Sequence, residues 1–183
     1  MCLYITATLP PNANEVEVRR LVRGIGRGFS QIDCPCQSTL LQPGERHYDT
    51  TRGECDCSTS LGSCVDRPPR PSRKVSVLRK KGWGEAKIQR WLNQRQQIDE
   101  RNERVRQHQA EAEGQSIWIE LLRALFESGS TPWFGLVLHF YSSGPGVEEK
   151  PFELAARQVV RFEKVTPEFL VQIREDILYE VRP

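Results

Sequence analysis

The chain has 183 residues and a net charge of +2, with 38% hydrophobic and 27% charged residues. That length fits one domain, 1–183, and folding buries roughly 70% of the surface the unfolded chain exposes, so a core forms without covalent staples. The near-neutral balance excludes a bulk attraction to nucleic acid or acidic membranes, and the longest apolar run, residues 133–141, is about half of what a membrane-spanning helix needs.

Residues 2–9 alternate: Leu3, Ile5, Ala7 and Leu9 on one face, Cys2, Tyr4, Thr6 and Thr8 on the other. This is the pattern of a half-buried strand. Pro10-Pro11 ends it, and Asn14 then caps a short helix carrying Val16, Val18, Leu21 and Val22. Gly24, Gly26 and Gly28 terminate that helix. Because they follow a helix rather than a strand, they do not form a phosphate loop.

Residues 29–65 form a cysteine-rich loop and strand region, and 66–73 a Pro/Arg linker whose prolines favour an extended chain. A helical segment, 74–128, follows. Its first helix ends at Gly82, and a second begins near Gly84-Glu85, anchored by Ile88, Trp91 and Leu92. Between Asn93 and Glu113 nearly every residue is polar; a continuous helix over 85–113 would be about 43 Å long. Its apolar stripe, Trp91, Ile98, Val105, Ala112 and Ile119, is too thin for a stable coiled coil, though it allows a dimer through the long helix. Ile117, Trp118, Leu121, Leu122, Leu125 and Phe126 mark a core helix.

Residues 131–183 read as strand, strand, helix. The strand over 133–141 is followed by a turn at 142–146 and a further strand near 157–164. Thr166 and Pro167 start a final helix with Phe169, Leu170, Ile173, Ile177 and Leu178 on one face. The whole predicts an α+β fold: a small mixed or antiparallel sheet with helices on one face, a cysteine-rich loop region and one long polar helix.

Five of the six cysteines lie within residues 34–64. Cys34, Cys36, Cys55, Cys57 and Cys64 are candidate zinc ligands, with His47 able to replace one thiolate, because zinc accepts four sulfurs in a closed tetrahedral site. The spacing departs from the Cys-x-x-Cys of zinc knuckles. Residues i and i+2 of a regular strand lie roughly 6.5–7 Å apart, so each Cys-x-Cys pair must bend to chelate. The alternative is a set of small buried hydrophobes in a reducing cell. With no basic or apolar leader at the N-terminus, the expectation is a cytoplasmic protein with reduced thiols.

Cys2 behind the initiator methionine resembles the start of N-terminal nucleophile hydrolases, in which the chain's own amine acts as base. The match covers one residue, and Cys2 reads as a residue on the less buried face of the first strand. Tyr4, Trp133, His139 and Tyr141 fall on the mixed polar and aromatic face of the two best strands and are candidate partner contacts. Arg70, Arg73, Lys74, Arg79, Lys80 and Lys81, with Trp83 beside them, form a basic segment within 67–83 suited to phosphates. No paired carboxylates, nucleophile elbow or catalytic histidine motif is present. The expected function is a non-enzymatic cytosolic protein-interaction module, of inhibitor or immunity type, stabilised by a structural zinc. The alternatives are a cysteine-dependent enzyme using Cys2, Cys55 or Cys57, and a nucleic-acid binder using residues 67–83.

Overall fold

The alternation of residues 2–9 yields the strand it predicts, and that strand lies near the middle of a six-stranded sheet. A computed structural model describes residues 2–32, 41–62, 73–94, 114–147 and 153–183. The elements in chain order are β1 (Cys2–Leu9), α1 (Glu15–Gly24), β2 (Ser30–Gln31), β3 (Arg46–Asp49), α2 (Arg73–Lys80), α3 (residues 85–94), α4 (Ser116–Glu127), β4 (Phe134–Tyr141), β5 (Ala156–Arg161), α5 (Pro167–Val171) and β6 (Ile177–Arg182). The strands are ordered β2-β3-β1-β4-β6-β5. All neighbours are antiparallel except β5 and β6, so the sheet is mixed.

Local chemistry sets the helix ends. Asn14 accepts a hydrogen bond from the Glu17 amide and caps α1. After Gly24, Gly26 takes a left-handed φ of 77° and its N–H closes on the Arg23 carbonyl, as a C-terminal glycine does. Gly28 has a different reason: a Cβ there would lie 2.9 Å from the Thr51 carbonyl oxygen.

Register fixes the two faces of the sheet. Leu3, Ile5, Ala7 and Leu9 share a face with Phe134, Leu136, Leu138 and Phe140 of β4 and with Tyr179 and Val181 of β6. Val18 and Val22 of α1, Trp118, Leu121, Leu122 and Leu125 of α4, and Leu170 of α5 join them in the main core. Each fully buried side chain of this kind contributes roughly 1.5–3 kcal/mol. Helices therefore cover one face, as expected. Over the other face, Leu41 and Leu154 pack on Val137 and Leu178. Glu45 reaches Arg157 of β5 at 2.7 Å, so residues 41–45 cross this face as a strap.

Two expectations need correction. The sheet is not small, because β6 joins it. The final helix stops at Val171, and Ile177 and Leu178, assigned above to a helical face, stand on opposite faces of a strand. The described helices are short, α4 having 12 residues. Residues 95–113, expected to extend a long polar helix, lie outside the described residues, as does the linker except Arg73, which opens α2. Among the described residues no helix is long and apolar enough to cross a membrane.

Candidate metal centre

β3 stops at Asp49, leaving the N-terminal half of β1 without a partner strand on that side. Residues 50–62 take its place as a run of turns. The Thr50 amide donates to the Ile5 carbonyl at 3.2 Å, and the Asp56 amide to the Leu3 carbonyl at 2.8 Å. The strand's own donors are met by side chains: Ile5 N–H by the Asp56 carboxylate at 2.8 Å, and Leu3 N–H by the Cys57 sulfur at 3.2 Å. Backbone groups of β1 that would otherwise be orphaned in the core thereby gain partners.

This packing brings together three sulfurs, that of Cys2 lying more than 50 positions from the other two in sequence. The Sγ atoms of Cys2, Cys55 and Cys57 lie within 4.8 Å of one another. Cys57 is buried, while Cys2 and Cys55 are half-buried, and none of the three is in a disulfide. Three thiolates around one zinc at about 2.3 Å would sit about 3.8 Å apart, so closing on an ion needs sulfur movements of about 1 Å or less. The Cys55-Asp56-Cys57 pair meets the requirement for bending by lying in a turn, with the Thr59 amide on the Asp56 carbonyl at 3.0 Å.

The electrostatics disfavour Cys55 as a nucleophile. Burial pushes the Cys55 thiol up to about 11, reinforced by the sulfurs of Cys57 and Cys2 and opposed by the Cys57 backbone amide. A thiol held protonated at neutral pH is a poor nucleophile. A divalent ion would displace its proton, and the Leu3 N–H at the Cys57 sulfur and the Cys57 N–H at the Cys55 sulfur would share the remaining negative charge. The donor set thus fits a thiophilic ion such as zinc.

Of the ligands expected from the sequence, the structure places Cys55 and Cys57 at this centre; Cys34, Cys36 and Cys64 lie outside the described residues. His47 is elsewhere, buried against Thr6 with Nε2 2.6 Å from Oγ1. Cys2 was not anticipated as a ligand. The clue available was its place at the start of a strand, which becomes useful only once residues 50–62 are known to lie along it.

Beyond the sulfurs the same sheet face carries the aromatic residues. Cys2 pairs in register with Tyr141, and Tyr4 with His139. Tyr4 and Tyr141 meet edge to face at 5.4 Å, and His139 and Tyr141 at 4.5 Å. His139 Nδ1 lies 2.5 Å from the Asp176 carboxylate. Trp133 and Tyr141 are buried, whereas Tyr4 and His139 keep part of their surface. Trp133 lies under the Arg157 guanidinium, 5.1 Å from its ring centre. In the basic segment, Arg79, Lys80 and Lys81 are exposed, and Arg79 binds Glu85 at 2.7 Å. Arg70 and the side chains of Arg73 and Lys74 lie outside the described residues.

No protein-family model, curated protein or solved structure matches this chain.

Proposed function

We propose that this chain is a non-catalytic cytoplasmic module in which Cys2, Cys55 and Cys57 supply three of the four ligands of a structural zinc ion. The convergence of three sulfurs within 4.8 Å carries the reading. The ion would fasten β1, the strand between β3 and β4, to the turn segment that replaces its missing partner. A reducing compartment keeps such thiols available. Burial that keeps the Cys55 thiol protonated argues against Cys55 as a nucleophile. Partner recognition remains part of the proposal. Its contact residues are the half-buried Tyr4 and His139, with the buried Tyr141 edge-on to both rings and Trp133, under Arg157, just before β4 begins.

The experiment is a melting curve with and without a zinc chelator, on the reduced wild-type chain and on Cys57→Ser. An ion present at 1,000 times its dissociation constant stabilises by about 4 kcal/mol. For a chain of this size that is roughly 8–16 °C in Tm. The wild type should lose that margin on chelation and the variant should show no response. Identical curves for wild type with and without chelator would overturn the zinc reading. The chelated protein should also show slow alkylation of all three thiols at neutral pH; one thiol reacting far faster than the others would favour a cysteine-dependent enzyme.

A further inference from the structure

Between the two cysteines of the turn stands Asp56, whose side chain is wholly buried. Every polar group of this residue is engaged. Oδ2 accepts from the Ile5 amide at 2.8 Å, and Oδ1 accepts from Arg27 Nη1 at 2.8 Å. Its amide donates to Leu3. Its carbonyl accepts from both the amide and the hydroxyl of Thr59, the latter at 2.9 Å. Gly62 backs onto the same carbonyl so closely that a Cβ would fall 1.8 Å from the oxygen. Arg27 is itself clamped. Its side chain is fully buried, Nη1 also reaches the Thr50 carbonyl at 3.1 Å, and the guanidinium lies over the Trp118 ring at 4.4 Å.

A buried ion pair is seldom the cheapest way to gain stability, since apolar side chains of the same volume do as well or better; its best-attested use is to fix one geometry among several. Here the geometry fixed is that of the residue flanked by both thiols. With Asp56 pulled into the core on one side, Cys55 and Cys57 lie together at Cys2 instead of at the strand-like separation of i and i+2. A site whose ligands are already gathered loses less conformational freedom on binding, which appears as affinity.

We propose that Asp56, held by Arg27, is the positioning residue of the metal centre: it gathers the three thiols before the ion arrives. This rests on the zinc reading above. The pair touches no sulfur's metal-binding position itself and acts through the turn.

The test is a cobalt(II) titration of the reduced full-length chain, reading the thiolate-to-cobalt charge-transfer band and the visible ligand-field bands. Wild type is compared with the paired substitution Arg27→Met with Asp56→Asn, which removes both charges together, and with Thr59→Val, which loosens the turn without stranding a charge. Circular dichroism establishes that each metal-free variant is folded. The expected result is at least a 100-fold loss of cobalt affinity with altered ligand-field bands in the paired variant. Thr59→Val should lose about tenfold and retain a thiolate band. Should the paired variant fail to fold, Thr59→Val decides alone. Folded variants that bind cobalt with wild-type affinity and spectrum would overturn the positioning role and leave the zinc reading intact. A wild-type chain with no charge-transfer band would instead overturn the zinc reading.

Discussion

His47 sits fully inside the sheet's polar face, its Nε2 against Thr6 Oγ1, with His139 as the nearby ionisable group and Asp176 behind that. Burial, with the charge on His139 adding to it, pushes His47 down from 6.5 to about 4. The unfolded chain takes up a proton at His47 below about pH 6.5, while the folded chain does not until about pH 4. His47 therefore destabilises the fold progressively as pH falls through that window, by on the order of 3 kcal/mol in total, and adds no pH dependence above it. Urea denaturation of the metal-free protein between pH 7 and 4 should show His47→Gln losing less stability than wild type by about that amount. Superimposable pH profiles would contradict the assignment. Burial of this kind was not legible in the sequence, where His47 reads as a spare metal ligand in a loop. Cys2 shows the same limit. Residue spacing can pair Cys55 with Cys57, but nothing in one dimension brings position 2 beside them. The role of Asp56 is not legible in the sequence either, because a charge between two cysteines gives no sign of an arginine 29 positions earlier.

Among the elements, β6 is where sequence reasoning failed. Thr166 and Pro167 do start a helix, and Thr166 caps it through the Phe169 amide. Extending that helix through Ile173, Ile177 and Leu178 followed a four-residue spacing that competes with an alternation over 177–182. Asp176 decides between them. It has φ of 61°, the only non-glycine in the left-handed region among the described residues, and a helix cannot pass through such a residue. Its amide donates to the Leu138 carbonyl at 2.8 Å, its carbonyl accepts from Ala155 at 2.6 Å, and its carboxylate meets His139. Three contacts hold a conformation that costs an ordinary residue roughly 1–2 kcal/mol. Asp176→Asn should stay near wild type, because asparagine tolerates this φ and keeps the bond to His139. Asp176→Gly should lose the pair alone, and Asp176→Ala should be the least stable, about 1 kcal/mol below glycine. Urea denaturation gives the ranking; alanine at or above glycine would refute it. β1, β4, α1 and α4 were legible because one signal dominated each: alternation in β1 and β4, capping residues at the start of α1, and an apolar face in α4.

Over the whole molecule, the two sheet faces divide the work. One is closed by α1, α4 and α5 over a single apolar core. The other is crossed by the 41–45 strap and ends in aromatic residues and sulfur. The α+β class and the covered face followed from the order of elements and their periodicity. The width of the sheet did not, because a two-residue β2 and a four-residue β3 give too little pattern to read. An ion at Cys2, Cys55 and Cys57 would join β1 to a segment more than 50 positions away in sequence, closing a long loop that the chain alone must otherwise order. Zinc content answers this most directly. Mass spectrometry should be run on reduced protein grown with zinc, for the wild type and for Cys2→Ser, Cys55→Ser and Cys57→Ser combined. We expect about one zinc per wild-type chain and none in the combined variant. A zinc-free wild type, or equal zinc in both proteins, would contradict the metal centre.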